Sequence, residues 1–177
     1  FWKIKKIEIF SEISKKENLL NFENNKSTLF YMLKNNSFYN LLSKEISKNK
    51  FFKKKVIKNN SFYEELLKKN EYDLIINCES NNFLSKKYFT KKINKDYFNH
   101  AYTTILKHKK IENNMAKQIF TKYGPIAFLP ISNTETSIVC SLETKNKKFN
   151  NKDIIDLINI NNTKYKIISF DSLSTFK

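Results

Sequence analysis

Residues 97–142 read YFNHAYTTILKHKKIENNMAKQIFTKYGPIAFLPISNTETSIVCSL, and their pattern decides the fold. Apolar and polar side chains alternate along this stretch, which is the period of a β-strand with one buried face. A Tyr123-Gly124-Pro125 turn and a polar link from Ser132 to Glu135 interrupt the alternation at hairpin spacing. The stretch therefore predicts four successive strands, at residues 97–107, 115–121, 126–131 and 136–142.

The rest of the chain predicts a mixed α+β protein. A short helix at residues 151–160 and a last strand at 165–170 complete a mostly antiparallel sheet with one helix on it. Before residue 89, strands and helices alternate as in an α/β layer: a strand at 4–10, a helix capped by Ser27, a strand at 51–57, a helical turn at 64–69 and a doubly buried strand at 72–78 (YDLIINC). The predicted domains are residues 1–89 and 90–177.

The chain holds a single glycine, Gly124, in 177 residues. Dinucleotide-binding turns, Walker loops and EF-hands need glycine where the backbone approaches phosphate or takes a positive φ, and they usually need more than one. None of these three kinds of site can be complete in this chain.

All 33 basic residues are lysines, against 17 acidic residues, and the formal net charge is +16. That charge alone attracts nucleic acid and anionic lipid. Proteins that recognise phosphates usually carry arginine, however, because its planar guanidinium binds them bidentately. The abundance of Asn, Ile and Phe is typical of an AT-rich genome, so the composition argues against a dedicated nucleic-acid-binding protein.

Few side chains suggest chemistry. His100 and His108 lie eight residues apart on one predicted strand, about 26 Å at the usual rise, so they cannot share a metal ion. Cys78 and Cys140 form no CxxC pair and sit in apolar runs, which predicts two buried free thiols in a reducing, cytosolic setting. No apolar run reaches the roughly 18 residues that span a membrane. The residue pattern identifies neither a metal site nor a catalytic acid or base.

The segment AKQIFTKYGPIAFLPISNTETSIVCSL, residues 116–142, resembles the FAD-dependent aromatic hydroxylases of ubiquinone biosynthesis. That family carries a Phe-Thr pair, a Gly-Pro turn, an Ala-x-Leu-Pro strand and a Ser-x-Val-x-Ser-type strand in this order. The corresponding residues here are Phe120, Thr121, Gly124, Pro125, Ala127, Leu129, Pro130, Ser137, Val139 and Ser141. The resemblance is strongest from Tyr72 onward and identifies the chain as a central fragment of a longer protein.

The resemblance implies a p-hydroxybenzoate-hydroxylase-like fold, with residues 1–89 as a partial FAD-binding domain and 90–177 as the substrate-binding sheet. In this family FAD is reduced by NAD(P)H, reacts with oxygen and hydroxylates a phenolic ring. The implied substrate is a polyprenylated phenol, and the implied setting is the cytoplasm with peripheral contact to the inner membrane and to other ubiquinone-biosynthesis proteins. The implied cofactor-binding residues are Glu79 and Ser80, and the implied substrate-binding residues are Gly124, Pro125, Phe128 and Pro130.

The chain departs from this family where the cofactor would bind. Asn77, Cys78, Glu79 and Ser80 stand where the family has Gly-Ala-Asp-Gly, and no glycine-rich FAD loop occurs in these residues. Added side chains would crowd the backbone that lies close to the cofactor. We therefore expect that this chain alone neither holds FAD tightly nor catalyses the reaction.

Two other functions stay open. One is a non-catalytic basic module that meets nucleic acid or an anionic membrane surface through lysines and exposed aromatic side chains. The other is an inactive interaction subunit built on the hydroxylase scaffold.

Overall fold

The computed structural model describes residues 1–12, 18–24, 27–57, 59–68, 72–89, 91, 93 and 95–176. These residues form β1 (Trp2–Ile4), β2 (Lys6–Ser11), β3 (Asn18–Glu23), β4 (Phe30–Met32), α1 (Asn35–Ser47), α2 (Ser61–Lys68), α3 (Phe83–Tyr88), β5 (Asn99–His108), β6 (Met115–Thr121), β7 (Gly124–Pro130), β8 (Glu135–Glu143), α4 (Asn151–Asn161), β9 (Ile167–Phe170) and β10 (Ser174–Phe176). The protein is α+β with more strand than helix.

Most strands form one sheet in the order β10-β5-β8-β7-β6-β2-β3, and β9 also pairs with β5. The pairs within it are antiparallel except for β2 and β6, which run parallel. A separate antiparallel pair joins β1 to β4. The prediction of a mostly antiparallel sheet with one helix on it is therefore confirmed.

The chain divides into two compact units. The first, here called the sheet unit, comprises Phe1–Leu42 and Asp96–Lys177, and the second, the small unit, comprises Ser43–Lys95. Because β2 pairs with β6, an element from before residue 89 belongs to the same sheet as the strands after it. The assignment of residues 1–89 and 90–177 to a FAD-binding and a substrate-binding domain stays a prediction.

Helix α4 covers one face of the sheet and forms the core. Its first turn carries a capping box, in which the Asn150 side chain accepts from the backbone N–H of Asp153 and the Asp153 carboxylate accepts from that of Asn150. The helix buries Ile154, Leu157 and Ile158 against apolar side chains of β5 to β8. These sheet residues are Tyr102, Leu106, Ile119, Ile126, Phe128, Ile138, Cys140 and Leu142.

The turn between β6 and β7 explains the Phe-Thr and Gly-Pro pairs of the sequence. The Thr121 hydroxyl donates to the Gly124 carbonyl at 2.8 Å and accepts from the Tyr123 N–H at 3.2 Å. Gly124 has φ +130°, a backbone conformation that side chains with a Cβ rarely adopt. A Cβ on Gly124 would also overlap the backbone oxygen of Ser141 on β8. The one glycine therefore sits where the fold requires it.

The four strands predicted within residues 97–142 are confirmed as β5 to β8, with ends that shift by at most two residues. The helix predicted at 151–160 is α4. The strand predicted at 165–170 is β9, which begins at Ile167, and β10 follows it without having been predicted. The strand predicted at 4–10 is divided into β1 and β2. The turn predicted at 64–69 is part of α2, and Lys69 lies outside the described residues.

The helix predicted to begin at Ser27 is wrong at its start. Phe30–Met32 pairs with Trp2–Ile4 instead, and the backbone N–H of Leu29 donates to the Ile4 carbonyl at 2.8 Å. Strand pairing thus takes up the residues after Ser27, and α1 begins only at Asn35. Local propensity predicts a helix here, but it does not reveal the distant strand that pairs with Phe30–Met32 and moves the start of the helix to Asn35.

Two other predicted strands are also wrong. Residues 51–57 begin in a turn in which Asn49 accepts from the N–H groups of Phe51 and Phe52, and three consecutive lysines follow. Residues 72–78 pair with no described strand and are exposed apart from the half-buried Asn77. Cys78 is therefore exposed, contrary to prediction, whereas Cys140 is buried and its burial raises the pKa of its thiol to about 12.

Candidate functional site

The main sheet has a core face under α4 and an opposite face, here called the open face. Burial alternates along β5, β7 and β8, so that each buried residue is followed by a half-buried one. The strand registers place the half-buried set on one side of the sheet. The open face is defined here as the central residues of that side, most of them half-buried, with Ala116 buried and Leu20, Phe22 and Phe120 exposed. Its members are Ile7, Ile9, Leu20, Phe22, Ala101, Thr103, Ile105, Ala116, Gln118, Phe120, Pro125, Ala127, Leu129, Ser137, Val139 and Ser141. Ser11 lies on the same side at the end of β2.

A single cross-strand row runs through the middle of the open face. Gln118 on β6 lies opposite Ala127 on β7, and Ala127 lies opposite Val139 on β8. The row continues to Thr103 on β5 at one end. At the other end it continues through Ile9 on β2 to β3. At the middle of the row, the amide of Gln118 thus lies beside the apolar side chains of Ala127 and Val139.

None of the described helices of the sheet unit buries a residue against the open face. Helix α4 directs its buried side chains to the core face, and no residue of α1 is buried. Side chains of α1 instead border a cleft of about 340 Å³ that adjoins the end of β7 at Ile131. The cleft is mainly apolar and is lined by Phe1, Trp2, Met32, Leu33, Lys34, Ser37, Phe38, Leu41 and Ile131.

The open face is electrically neutral, since none of its sixteen members is charged. Three charged residues continue the face at the ends of β5 and β8: Lys107 and Glu135, which are both ion-paired, lie at one end, and the exposed Glu143 lies at the other. Lys107 lies 2.7 Å from Asp171, which raises the pKa of Lys107, and Glu135 lies 2.8 Å from Lys34. The surface therefore suits an uncharged, apolar ligand better than a phosphate or carboxylate.

Only four side chains of the open face can form hydrogen bonds, and they are Thr103, Gln118, Ser137 and Ser141. No described residue forms a hydrogen bond with any of these four side chains. Ligand-binding surfaces typically combine a mainly apolar lining with a few polar groups that fix orientation. The open face has this composition.

The residues proposed for substrate binding divide between the two faces. Phe128 and Pro130 are buried on the core face, where the Phe128 ring stacks on Tyr165 with centroids 6.0 Å apart. Pro125 lies on the open face beside the Gly124 turn. Ala127 and Leu129, which the alternation places opposite Phe128, are the residues of β7 that a ligand on the open face would contact.

The residues proposed for cofactor binding, Glu79 and Ser80, lie in the small unit. There the loop forms hydrogen bonds within itself. The side-chain N–H of Asn77 donates to the Glu79 carbonyl, and the side-chain oxygen of Asn77 accepts from the Glu79 N–H. The Ser85 hydroxyl also donates to the Glu79 carbonyl. Both backbone groups of Glu79 are thus already paired, and the small unit contains no glycine. These residues do not fit the pyrophosphate of FAD.

A buried polar network lies at the hairpin end of the sheet and was not expected from the sequence. The Thr136 hydroxyl lies 3.0 Å from His108 Nε2 and accepts from Asn113 Nδ2, also at 3.0 Å. Tyr165 donates to Asn113 Oδ1 at 3.0 Å, and burial raises the pKa of Tyr165. Trp2 Nε1 donates to the Asn113 carbonyl. Because these groups hydrogen-bond one another, the network holds the loops before β6 and β8 in place and offers no free acid or base.

The described residues contain no cluster of three or more His, Cys, Asp or Glu side chains that could hold a metal ion. His108 is committed to the buried network, and His100 is half-buried beside Tyr102. The two histidines lie near opposite ends of β5. Of the helices that the structure describes, none has the length and apolarity to cross a membrane.

The small unit carries a basic groove of about 780 Å³. Three lysines, Lys50, Lys53 and Lys55, line it together with Phe51, Ile57, Phe62, Leu66 and Tyr72. The ammonium groups of Lys50 and Lys55 lie 5.0 Å and 5.7 Å from the ring centroids of Phe51 and Phe62. No acidic residue belongs to this lining.

The chain matches no protein-family model and no curated protein.

Proposed function

We propose that this chain is the substrate-binding part of a flavin-dependent monooxygenase that hydroxylates a polyprenylated phenol. One observation carries the proposal: the segment that resembles the hydroxylases, residues 116–142, forms the centre of a neutral, apolar sheet face that no described helix of its unit covers. The p-hydroxybenzoate-hydroxylase-like fold, the cytoplasmic setting and a peripheral membrane position belong to this proposal.

The open face suits a phenolic ring for physical reasons. A flat ring lying on Ala127 and Val139 would remove apolar surface from water on both sides, at about 25 cal/mol for each Å². The short side chain of Ala127 leaves room for the ring between Gln118 and Val139. Ionic ligands would instead lose hydration without gaining a counter-charge.

The cleft beside Ile131 is the proposed site of the hydrocarbon tail. It begins next to β7, the strand that contributes Ala127 and Leu129 to the open face, and its lining is largely aromatic and aliphatic. In this arrangement the chain binds and orients the phenol and shields it from water. FAD and NAD(P)H remain the expected cofactors of the reaction as a whole.

The test is a titration of the purified chain with 2-geranylphenol, a short prenylated phenol. Val139→Glu places a charge at the centre of the open face, so we expect the Kd to rise at least about tenfold, the equivalent of about 1.4 kcal/mol. Ile160→Glu is the matched control, because Ile160 is an exposed side chain of α4. The proposal fails if the unaltered chain shows no saturable binding, or if both variants bind as it does.

The basic groove of the small unit favours a second candidate function, binding of single-stranded nucleic acid. Its lysines could contact phosphates while Phe51 and Tyr72 stack on bases. Replacing Lys50, Lys53 and Lys55 with Gln should reduce the slope of log affinity against log salt by about 0.7 for each phosphate that the variant no longer neutralises. Replacing Lys3, Lys5 and Lys110 removes the same charge from the sheet unit and should leave the slope unchanged. No affinity for an oligonucleotide at low salt would eliminate this candidate.

A further inference from the structure

Gln118 is an isolated amide on an otherwise apolar part of the open face. Its register partners are Ile9 on β2 and Ala127 on β7. Its neighbours on the same face of β6 are Ala116 and Phe120, two residues away in each direction. The next residue, Ile119, is in the core beneath α4, so the strand alternation directs the Gln118 side chain to the open face.

The side chain of Gln118 is half-buried and forms no hydrogen bond with any described residue. An amide offers two N–H donors and one carbonyl acceptor, so it can donate to an oxygen and accept from a hydroxyl. A polar group at a partly dehydrated position is unfavourable unless it finds a partner. Its four neighbours on this face offer no such partner, and an oxygen of a ligand on the open face would supply one.

We propose that Gln118 hydrogen-bonds the phenolic oxygen and thereby positions the ring over Ala127 and Val139. This assignment rests on the proposed function, because it places the same phenol on the same face. The amide carbonyl of Gln118 accepts one hydrogen bond from the hydroxyl of the neutral phenol, and no covalent bond is made or broken. The ring then extends from Gln118 along the cross-strand row toward Thr103.

The strand spacing separates Gln118 from the other polar residue of the row. Three strand spacings of about 4.8 Å each place Thr103 about 14 Å away, which exceeds the length of a phenolic ring. The ring anchored at Gln118 therefore does not reach the Thr103 hydroxyl. Asn159→Leu, which makes the same amide-to-leucine change at an exposed position of α4, is the matched control.

The experiment compares two probes, 2-geranylphenol and geranylbenzene, which differ only in the phenolic hydroxyl. Gln118→Leu should weaken binding of the phenol about tenfold, since one hydrogen bond is lost. Its affinity for geranylbenzene should stay within about twofold of that of the unaltered chain. Asn159→Leu should leave both affinities unchanged.

The possible failures are distinguishable. If Gln118→Leu binds the phenol as tightly as the unaltered chain, or weakens both probes equally, the assignment of Gln118 is overturned while the proposed function stands. The same holds if Asn159→Leu reproduces the selective loss. If the unaltered chain binds neither probe, or if a second copy or a macromolecule occupies the face instead, the proposed function and this assignment both fail.

Discussion

Replacing Phe128 with alanine is expected to lower the free energy of unfolding by about 3–5 kcal/mol, the largest effect of any single change considered for this chain. Phe128 is only 2% exposed, belongs to the core cluster under α4 and stacks on Tyr165. Its truncation removes buried apolar surface and leaves a cavity that neighbouring β-strands cannot readily fill. The measurement is urea denaturation of the purified chain, followed by circular dichroism.

Phe120→Ala provides the control for this prediction. Phe120 lies on the open face of the adjacent strand and is 43% exposed, so the same truncation should cost less than about 1 kcal/mol. The comparison tests which side of the sheet is the core. Equal losses for the two variants, or a larger loss for Phe120→Ala, would contradict the assignment of the faces.

Gly124→Ala is expected to lower the free energy of unfolding by about 3 kcal/mol and the Tm by about 6–12 °C. Two causes act together: φ at Gly124 is +130°, and the new Cβ would overlap the backbone oxygen of Ser141. Because the new Cβ is bonded directly to the β7 backbone and the Ser141 oxygen belongs to the β8 backbone, neither can move without disturbing the β7–β8 pairing that begins at Ile126 and Cys140.

Thermal unfolding of Gly124→Ala can be compared with that of Lys145→Ala, a truncation at an exposed position after β8. The control should change the stability by less than about 0.5 kcal/mol. If Gly124→Ala were as stable as Lys145→Ala, the turn geometry at residues 121–124 would be wrong. The stability of Gly124→Ala also tests the open face, because β7, which contributes Ala127 and Leu129 to that face, begins at Gly124.

Strands β5 to β8 could be predicted because each carries its own information. Side chains of β5, β7 and β8 alternate between buried and half-buried positions, and the connections between the four strands are short. Helix α4 could likewise be predicted from neighbouring residues, because Asp153 completes its capping box and Ile154, Leu157 and Ile158 lie on one side. Period and caps are properties of neighbouring residues, so a single sequence reveals them.

The wrong predictions have a common physical cause, which is that strand formation depends on a partner. Residues 72–78 have the composition of a buried strand, yet no described strand pairs with them. Phe30–Met32 has a helical spacing of apolar residues with α1, yet Trp2–Ile4 pairs with it. The parallel pairing of β2 with β6 joins segments about a hundred residues apart along the chain, which no local pattern reveals.

The candidate site was predictable only in part. The segment from Gly124 to Pro130 was identified from its motif, but Phe128 and Pro130 belong to the core, while Ala127 and Leu129 lie on the open face. The alternation separates these two sets but cannot say which set a helix covers. Gln118 carries no sequence signal of its own, because a lone amide becomes notable only when its neighbours on the sheet are known.

The central claim is that the open face binds a prenylated phenol, and a residue-by-residue NMR record of the 2-geranylphenol titration tests it most directly. The largest chemical-shift changes are predicted at Ala127, Leu129 and Val139, and at the Gln118 side-chain amide. Ile126 and Ile138, which alternate with them on the core face, should shift much less. Changes concentrated in the basic groove of the small unit, or no changes at saturating probe, would contradict the claim.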